Sequence, residues 1–222
     1  MFKKMFGGSA EAEAKGSRFT PRTPSGPRTI RHSSAWGLTL KALKENGGGT
    51  VMDVGPTSPT NINFLTNLSC SVYMPDPLYD ANTQDWMTGE PDDEGKPTFD
   101  SQRFMAESFS FSGRVFDAVL LWDTLDFLPE PLVQPVVDSL AQVTRPGGKI
   151  LAFFHQQARN GEAPQHRRYH ITDSDAVEFQ TGSGYQHLRS QQNRNIERLF
   201  QAFSALKFML ASDNIREVVI TR

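Results

Sequence analysis

The chain has one cysteine, Cys70, in 222 residues. A single thiol forms neither an internal disulfide nor a multi-cysteine zinc site, and this usage suits a reducing, cytoplasmic setting. Long apolar runs are also missing: none approaches the ~20 residues that a membrane-spanning helix needs. Residues 1–8 carry two lysines but no extended apolar segment, so they do not form a secretory signal. Their MFKKMF stretch is too short to anchor a chain on a membrane. Three chemical signatures are absent: the Gly-x-x-x-x-Gly-Lys-Ser/Thr phosphate loop, Gly-x-Gly-x-x-Gly after the first long strand, and the Gly-x-Ser-x-Gly nucleophile elbow.

Apolar residues are scarce at the N-terminus too. Residues 1 to about 30 are rich in Gly, Ser, Pro, Thr and Arg, which predicts a disordered tail. Up to residue 31 there are seven basic residues against Glu11 and Glu13, although the whole chain carries a formal charge of −2. Such a basic tail suits contact with an anionic partner, or it is only a solvated extension. The remainder, residues 31–222, is long enough for one domain with a proper core.

Within that domain strands and helices alternate. Ser33 or Ser34 caps a helix whose Trp36, Leu40 and Leu43 share one face, and Gly47-Gly48-Gly49 ends it. Residues 50–54 form a buried strand entering a turn at Gly55. A helix is predicted from about 59 to 67, then a strand at 71–74 that Pro75-Asp76-Pro77 terminates. Residues 81–88 suggest a helix, 89–96 an acidic surface loop, and 99–109 a short helix. FDAVLLW at 116–122 is the near-continuous apolar run of a central parallel strand. A helix follows through Leu132, Val133, Val136, Val137, Leu140 and Val143, with Pro135 awkward inside it. Residues 145–148 make a turn and 149–154 another buried strand.

Residues 155–168 are predicted as polar loop, 169–172 as a short extra strand, and 173–190 show no clear pattern. Ile196, Leu199, Phe200 and Phe203 lie on one helical face, with Asn193 or Asn195 as cap. Two strands, 205–211 and 215–221, are then joined by so short a turn that they must be antiparallel. The order describes an α/β protein: a doubly wound, mostly parallel sheet closed by a C-terminal antiparallel hairpin. No internal repeat is apparent.

Ligands of such sheets bind beyond the carboxyl ends of the strands, so the loop after residues 50–54 is the first candidate. It reads Val51-Met52-Asp53-Val54-Gly55-Pro56-Thr57-Ser58-Pro59. Further on stand Phe116-Asp117, then Trp122-Asp123-Thr124-Leu125-Asp126-Phe127-Leu128, then Arg145-Pro146-Gly147-Gly148. In these patches the chain resembles the class I S-adenosylmethionine-dependent methyltransferases, which have a Rossmann-like fold. That resemblance implies S-adenosylmethionine as cofactor and an acceptor substrate that the sequence does not specify. It implies a donor site at Asp53, Gly55, Thr57, Asp76, Glu107 and Asp123, with Asp76 accepting from the ribose diol.

The pattern also departs from the family. Thr57 and Pro59 stand where the family has glycines, and the adenine-contacting acid's register falls on Met105, two residues before Glu107. Nor is there an Asn/Asp-Pro-Pro-Tyr signature or the second cysteine that a cytosine-adduct mechanism requires. His155, beyond the 149–154 strand, is the candidate general base, because it would face the same rim as the donor and an imidazole suits that role. His166, Arg167, Arg168, Tyr169 and His170 form a basic, aromatic cluster suited to an anionic acceptor. Two readings stay open: a methyltransferase, or a catalytically inactive relative serving as a binding or scaffold module.

Overall fold

The structure, a computed structural model, describes residues 20–91, 93–156, 162–209 and 213–222. Most of the predicted tail, part of the 155–168 loop and residues 210–211 of the hairpin lie outside them. The first half runs β1 (Thr29–His32), α1 (Ser34–Glu45), β2 (Gly49–Asp53), α2 (Pro59–Asn67), β3 (Cys70–Tyr73), α3 (Pro77–Thr83), β4 (Met87–Pro91), β5 (Pro97–Phe99) and α4 (Ser101–Ser108). The second half runs β6 (Phe116–Trp122), α5 (Thr124–Phe127), α6 (Glu130–Val143), β7 (Thr144–His155), β8 (Arg167–Ile171), β9 (Ala176–Thr181), α7 (Asn193–Leu199), β10 (Ala205–Met209) and β11 (Ile215–Thr221).

The main sheet has the order β10-β11-β7-β6-β2-β3. Strands β3, β2, β6 and β7 are parallel, while β11 pairs antiparallel with both β7 and β10. The three strands with the strongest apolar runs therefore lie inside the sheet, and the hairpin reverses one edge. Alternate side chains feed two cores. Val119, Leu121, Ile150, Ala152, Val218 and Ile220 face α6 and α7. Ala118, Leu120, Leu151, Phe153, Ile215 and Val219 face α1 and α2. Helices on both faces make this the expected doubly wound α/β architecture. Among the described residues, no helix is long and apolar enough to cross a membrane.

Caps set the helix starts. Ser33 accepts from Trp36 N at α1, and Ser58 accepts from Asn61 N at α2. Ser33→Ala removes the first cap together with a bond to Glu217. The expected cost is ~0.5–2 kcal/mol, read as a lower urea midpoint with an unchanged slope.

Several elements differ from expectation. The third helix begins at Pro77, not at residue 81, because Asp76 caps it through Tyr79 N and a proline at N1 has no intrahelical bond to lose. Within the acidic 89–96 stretch, residues 89–91 lie in β4, which pairs antiparallel with β5. The Pro146-Gly147-Gly148 segment extends β7, since Gly147 N donates to Arg222 O and Arg222 N donates to Gly148 O. The last long helix, α7, starts after Gln192 with no side-chain cap bond, rather than with an asparagine cap.

A second, antiparallel sheet of order β1-β9-β8 packs beside the first. Its Tyr169, Ile171 and Val177 join the α1-side core. Strand β9 lies within the stretch that showed no pattern. Strand β1 begins at Thr29, inside the segment expected to be tail.

Candidate functional site

The carboxyl ends of β2, β3, β6 and β7 open onto one rim, and the β8–β9 insertion folds over it. Asp53 ends β2 fully buried. Its carboxylate accepts from Thr57 Oγ1, from Asn61 Nδ2 at 2.9 Å and from Trp122 Nε1 at 2.7 Å. Burial raises its pKa, with the three hydrogen bonds pulling the other way. Asp53 therefore holds the loop in place and has no exposed surface with which to meet a ligand.

Thr57 fixes the same loop from the other side, since its carbonyl accepts from Arg168 Nε at 3.1 Å and Nη2 at 2.6 Å. Pro59 occupies the first turn of α2, where its missing N–H costs nothing. The two departures from the family's glycine pattern thus have structural roles in this chain.

Ahead of both in the chain, Gly55 keeps a φ of +100°, and a Cβ there would meet only Thr124 Oγ1, at 3.6 Å. The left-handed conformation requires glycine, and the space before it is open. Gly55 N donates to Pro75 O at 2.8 Å, which brings Asp76 alongside. Asp76 Oδ1 accepts from Tyr79 N at 3.0 Å. Burial pushes the Asp76 carboxyl up to about 6, with Asp80 adding to the shift and its backbone hydrogen bonds opposing it. A carboxylate offers about four acceptor positions, so the cap leaves room for a diol.

At the end of β6, Trp122 has a φ of +50°, an uncommon and strained conformation for a bulky residue. It is held by its bond to Asp53 and by stacking on Tyr169, with centroids 4.8 Å apart and planes 10° apart. This turn delivers Asp123 into the interior. Asp123 Oδ2 meets His155 Nε2 at 3.0 Å, Arg167 N at 3.3 Å and Tyr169 Oη at 3.4 Å. Asp123 Oδ1 lies 3.8 Å from His166 Nε2 and has no hydrogen-bond partner among the described residues. Burial would raise the Asp123 pKa, but His166, His155 and Arg167 outweigh it and hold the carboxyl below its ordinary range. Asp126 behaves oppositely: burial and Asp123 raise it well above the ordinary value, although His155 N donates to it. The two neighbouring buried carboxyls are thus pushed in opposite directions.

Three imidazoles surround Phe127: His155, His166 and His187, with ring centroids 5.7, 5.0 and 5.5 Å away. Among the described residues no group of His, Cys, Asp and Glu has a geometry that could hold a metal ion. The rim thus brings together Asp53, Gly55, Thr57, Asp76, Asp123 and His155. Glu107 is not joined to them; it is exposed on α4 and pairs with Arg103 at 3.6 Å. Met105, on the same helix, packs against the α6-side core. The sequence reading passed over Ser183 and Tyr185, which close the rim from a segment without periodicity.

No family model matches the chain, and no curated protein matches it. Among solved structures it is similar to the N-methyltransferase NodS from Bradyrhizobium japonicum, at 13% identity and a TM-score of 0.44, over 84% of this chain and 93% of that one. It is also similar to an S-adenosylmethionine-dependent methyltransferase from Clostridium acetobutylicum, at 8% identity and a TM-score of 0.46, over 86% and 92%. The α/β architecture itself stands on the strand order and pairing described above.

Proposed function

We propose that the chain is an S-adenosylmethionine-dependent, methyltransferase-like protein, with its donor over Gly55 and the donor's ribose at Asp76. The observation that carries this reading is the open glycine turn at the end of β2, bonded to the loop that presents Asp76. The residues fit the group: a backbone without a Cβ admits close approach, and a carboxylate beside it suits a diol. When bound, the sulfonium supplies an already activated methyl group. The chain's own task is to hold and orient the reactants and to receive a proton where the acceptor carries one.

Calorimetric titration with S-adenosylhomocysteine tests the reading. A micromolar signal is expected, and silence at millimolar ligand would favour a scaffold. Asp76 must be ionised to accept two bonds from the diol, and its carboxyl protonates as pH falls through about 6. Affinity is therefore expected to be full near pH 8 and to fall toward pH 5, by up to tenfold per unit once below 6. Asp76→Asn should weaken binding at pH 8 by ~5- to 150-fold and abolish that pH dependence. Gly55→Val should be worse, because a β-branched side chain at positive φ disrupts the turn and fills the space in front of it.

A further inference from the structure

A cavity of about 470 Å³ is lined by Arg22, Pro164, His166, Ser183, Tyr185 and His187, among others. Its size falls within the ~300–1,000 Å³ of small-molecule sites. Tyr185 links it to the donor rim: burial raises the tyrosine's pKa, and Asp76, Tyr79 and Asp80 add to the rise, so its hydroxyl lies in their field. On the cavity side, the Tyr185 ring meets His166 edge to face at 5.0 Å. We infer that this cavity is the acceptor site, that it takes a planar aromatic compound with an acidic hydroxyl, and that His166 receives the hydroxyl proton. The inference rests on the donor placement proposed above.

Three observations converge on His166. First, its two ring nitrogens have distinct neighbours. Nε2 lies 3.8 Å from Asp123 Oδ1, beyond hydrogen-bond reach but within the field of that charge. Nδ1 lies 2.9 Å from Ser183 Oγ, and accepts from it in the tautomer that keeps the ring proton on Nε2, beside the Asp123 charge. Second, burial lowers the His166 pKa, with His155 adding to that effect and Asp123 opposing it, so the ring favours its neutral, proton-accepting form. Third, Asp123 Oδ1 is a buried acceptor without a hydrogen-bond partner among the described residues. An imidazolium at His166 would give that oxygen the charge it faces, whereas in the neutral state it remains under-satisfied.

The proton path follows from these contacts. The acceptor's O–H donates to Ser183 Oγ, and the serine's own proton passes to His166 Nδ1. The O–H bond of the acceptor breaks, an N–H bond forms, and the products are a phenolate in the cavity and an imidazolium against Asp123. Asp123 acts as the positioning residue. The proton balance selects the substrate class. An ordinary phenol, near tyrosine's pKa of about 10, is uphill from an imidazole held below its ordinary value. The hydroxyl must therefore be acidified, as on a ring with electron-withdrawing groups, and an aliphatic alcohol lies further out of reach. A neutral amine would not need the base before reacting. The aromatic walls at His166, Tyr185 and His187 suit a ring by edge and face contacts. Arg22, exposed at the rim, suits the negative charge that develops.

The test needs no donor. 4-Nitrophenol, whose anion absorbs in the visible, is titrated with the full chain across pH. Saturable binding is expected, with the bound probe's ionisation midpoint about one unit below that of the free probe, a tenfold effect. His166→Gln should bind the probe without that shift, and Ser183→Ala should reduce it. In the wild-type chain the His166 ring protons should move in NMR spectra as the probe is added, which decides the matter even if the variants fold poorly. Absence of saturable binding at millimolar probe, or a midpoint unchanged on binding, would overturn the inference. Since S-adenosylhomocysteine is titrated separately, failure of the donor placement and failure of the acceptor pocket are told apart.

Discussion

Val218→Asp is expected to lower the stability of the chain by more than ~4 kcal/mol. Val218 is fully buried in β11, between Ala152 on β7 and Phe208 on β10, and faces the α6-side core. The substitution removes ~1.5–3 kcal/mol of apolar burial. It also places a carboxyl among side chains that offer no hydrogen bond, at a further ~2–7 kcal/mol even when the group takes a proton. Thermal denaturation should show a drop of roughly 10 °C or more, given ~2–4 °C per kcal/mol for a domain of this size. Lys207→Asp, at an exposed position of the neighbouring strand, should stay within about 0.5 kcal/mol. Equal melting temperatures for Val218→Asp and the parent chain would show that β11 does not close the core sheet.

How far this arrangement was legible depends on how local its cause is. Strand β6 matches its sequence reading end for end, because an apolar run flanked by turn residues reports burial on both faces directly. Helix α2 does so as well, through Ser58 and Pro59 at its start. The rim was partly legible for the same reason: Asp53, Asp123 and His155 close apolar strands, and a parallel sheet sends all such ends to one edge.

What escaped was set by contacts distant in sequence. Strand β9 has mostly half-buried residues, so its alternation is blurred, and β1 has one buried position in four. The turn at Trp122 depends on Asp53 and on Tyr169, 69 residues before it and 47 after it in the chain, and nothing within FDAVLLW announces it. Ser183 and Tyr185 acquire meaning only once β8 and β9 carry them over the rim. Thr57 and Pro59 counted against ligand binding in the sequence, yet each has a structural role that leaves Gly55 open.

Glu217 is the clearest case of an interaction hidden from the sequence, and Glu217→Ala is expected to cost ~3–5 kcal/mol. Along β11 alternate residues face the α1-side core, so an acid between Ile215 and Val219 is committed to the interior. There it is 2% exposed and fully used. Oε1 accepts from Arg31 Nη1 at 2.5 Å, while Oε2 accepts from Ser33 Oγ at 3.1 Å and from Ala35 N at 2.9 Å. One carboxylate therefore neutralises the arginine of β1 and caps α1. Truncation leaves Arg31 buried with only Asp213, whose side chain is 38% exposed and whose attraction is weakened by water. It also leaves the Ala35 amide without its acceptor. Glu217→Gln should lose less, since an amide oxygen still accepts from Ala35 while the charge on Arg31 goes unbalanced. The loss should concentrate at β1. Amide exchange at Val177 and Phe179, which lie opposite Arg31 and Thr29, should accelerate in Glu217→Ala beyond what the global destabilisation requires. A denaturant midpoint within error of the parent chain would mean that Arg31–Asp213 alone docks the strand. The 8% exposure of the Arg31 side chain, deep beside the acid, argues against that outcome.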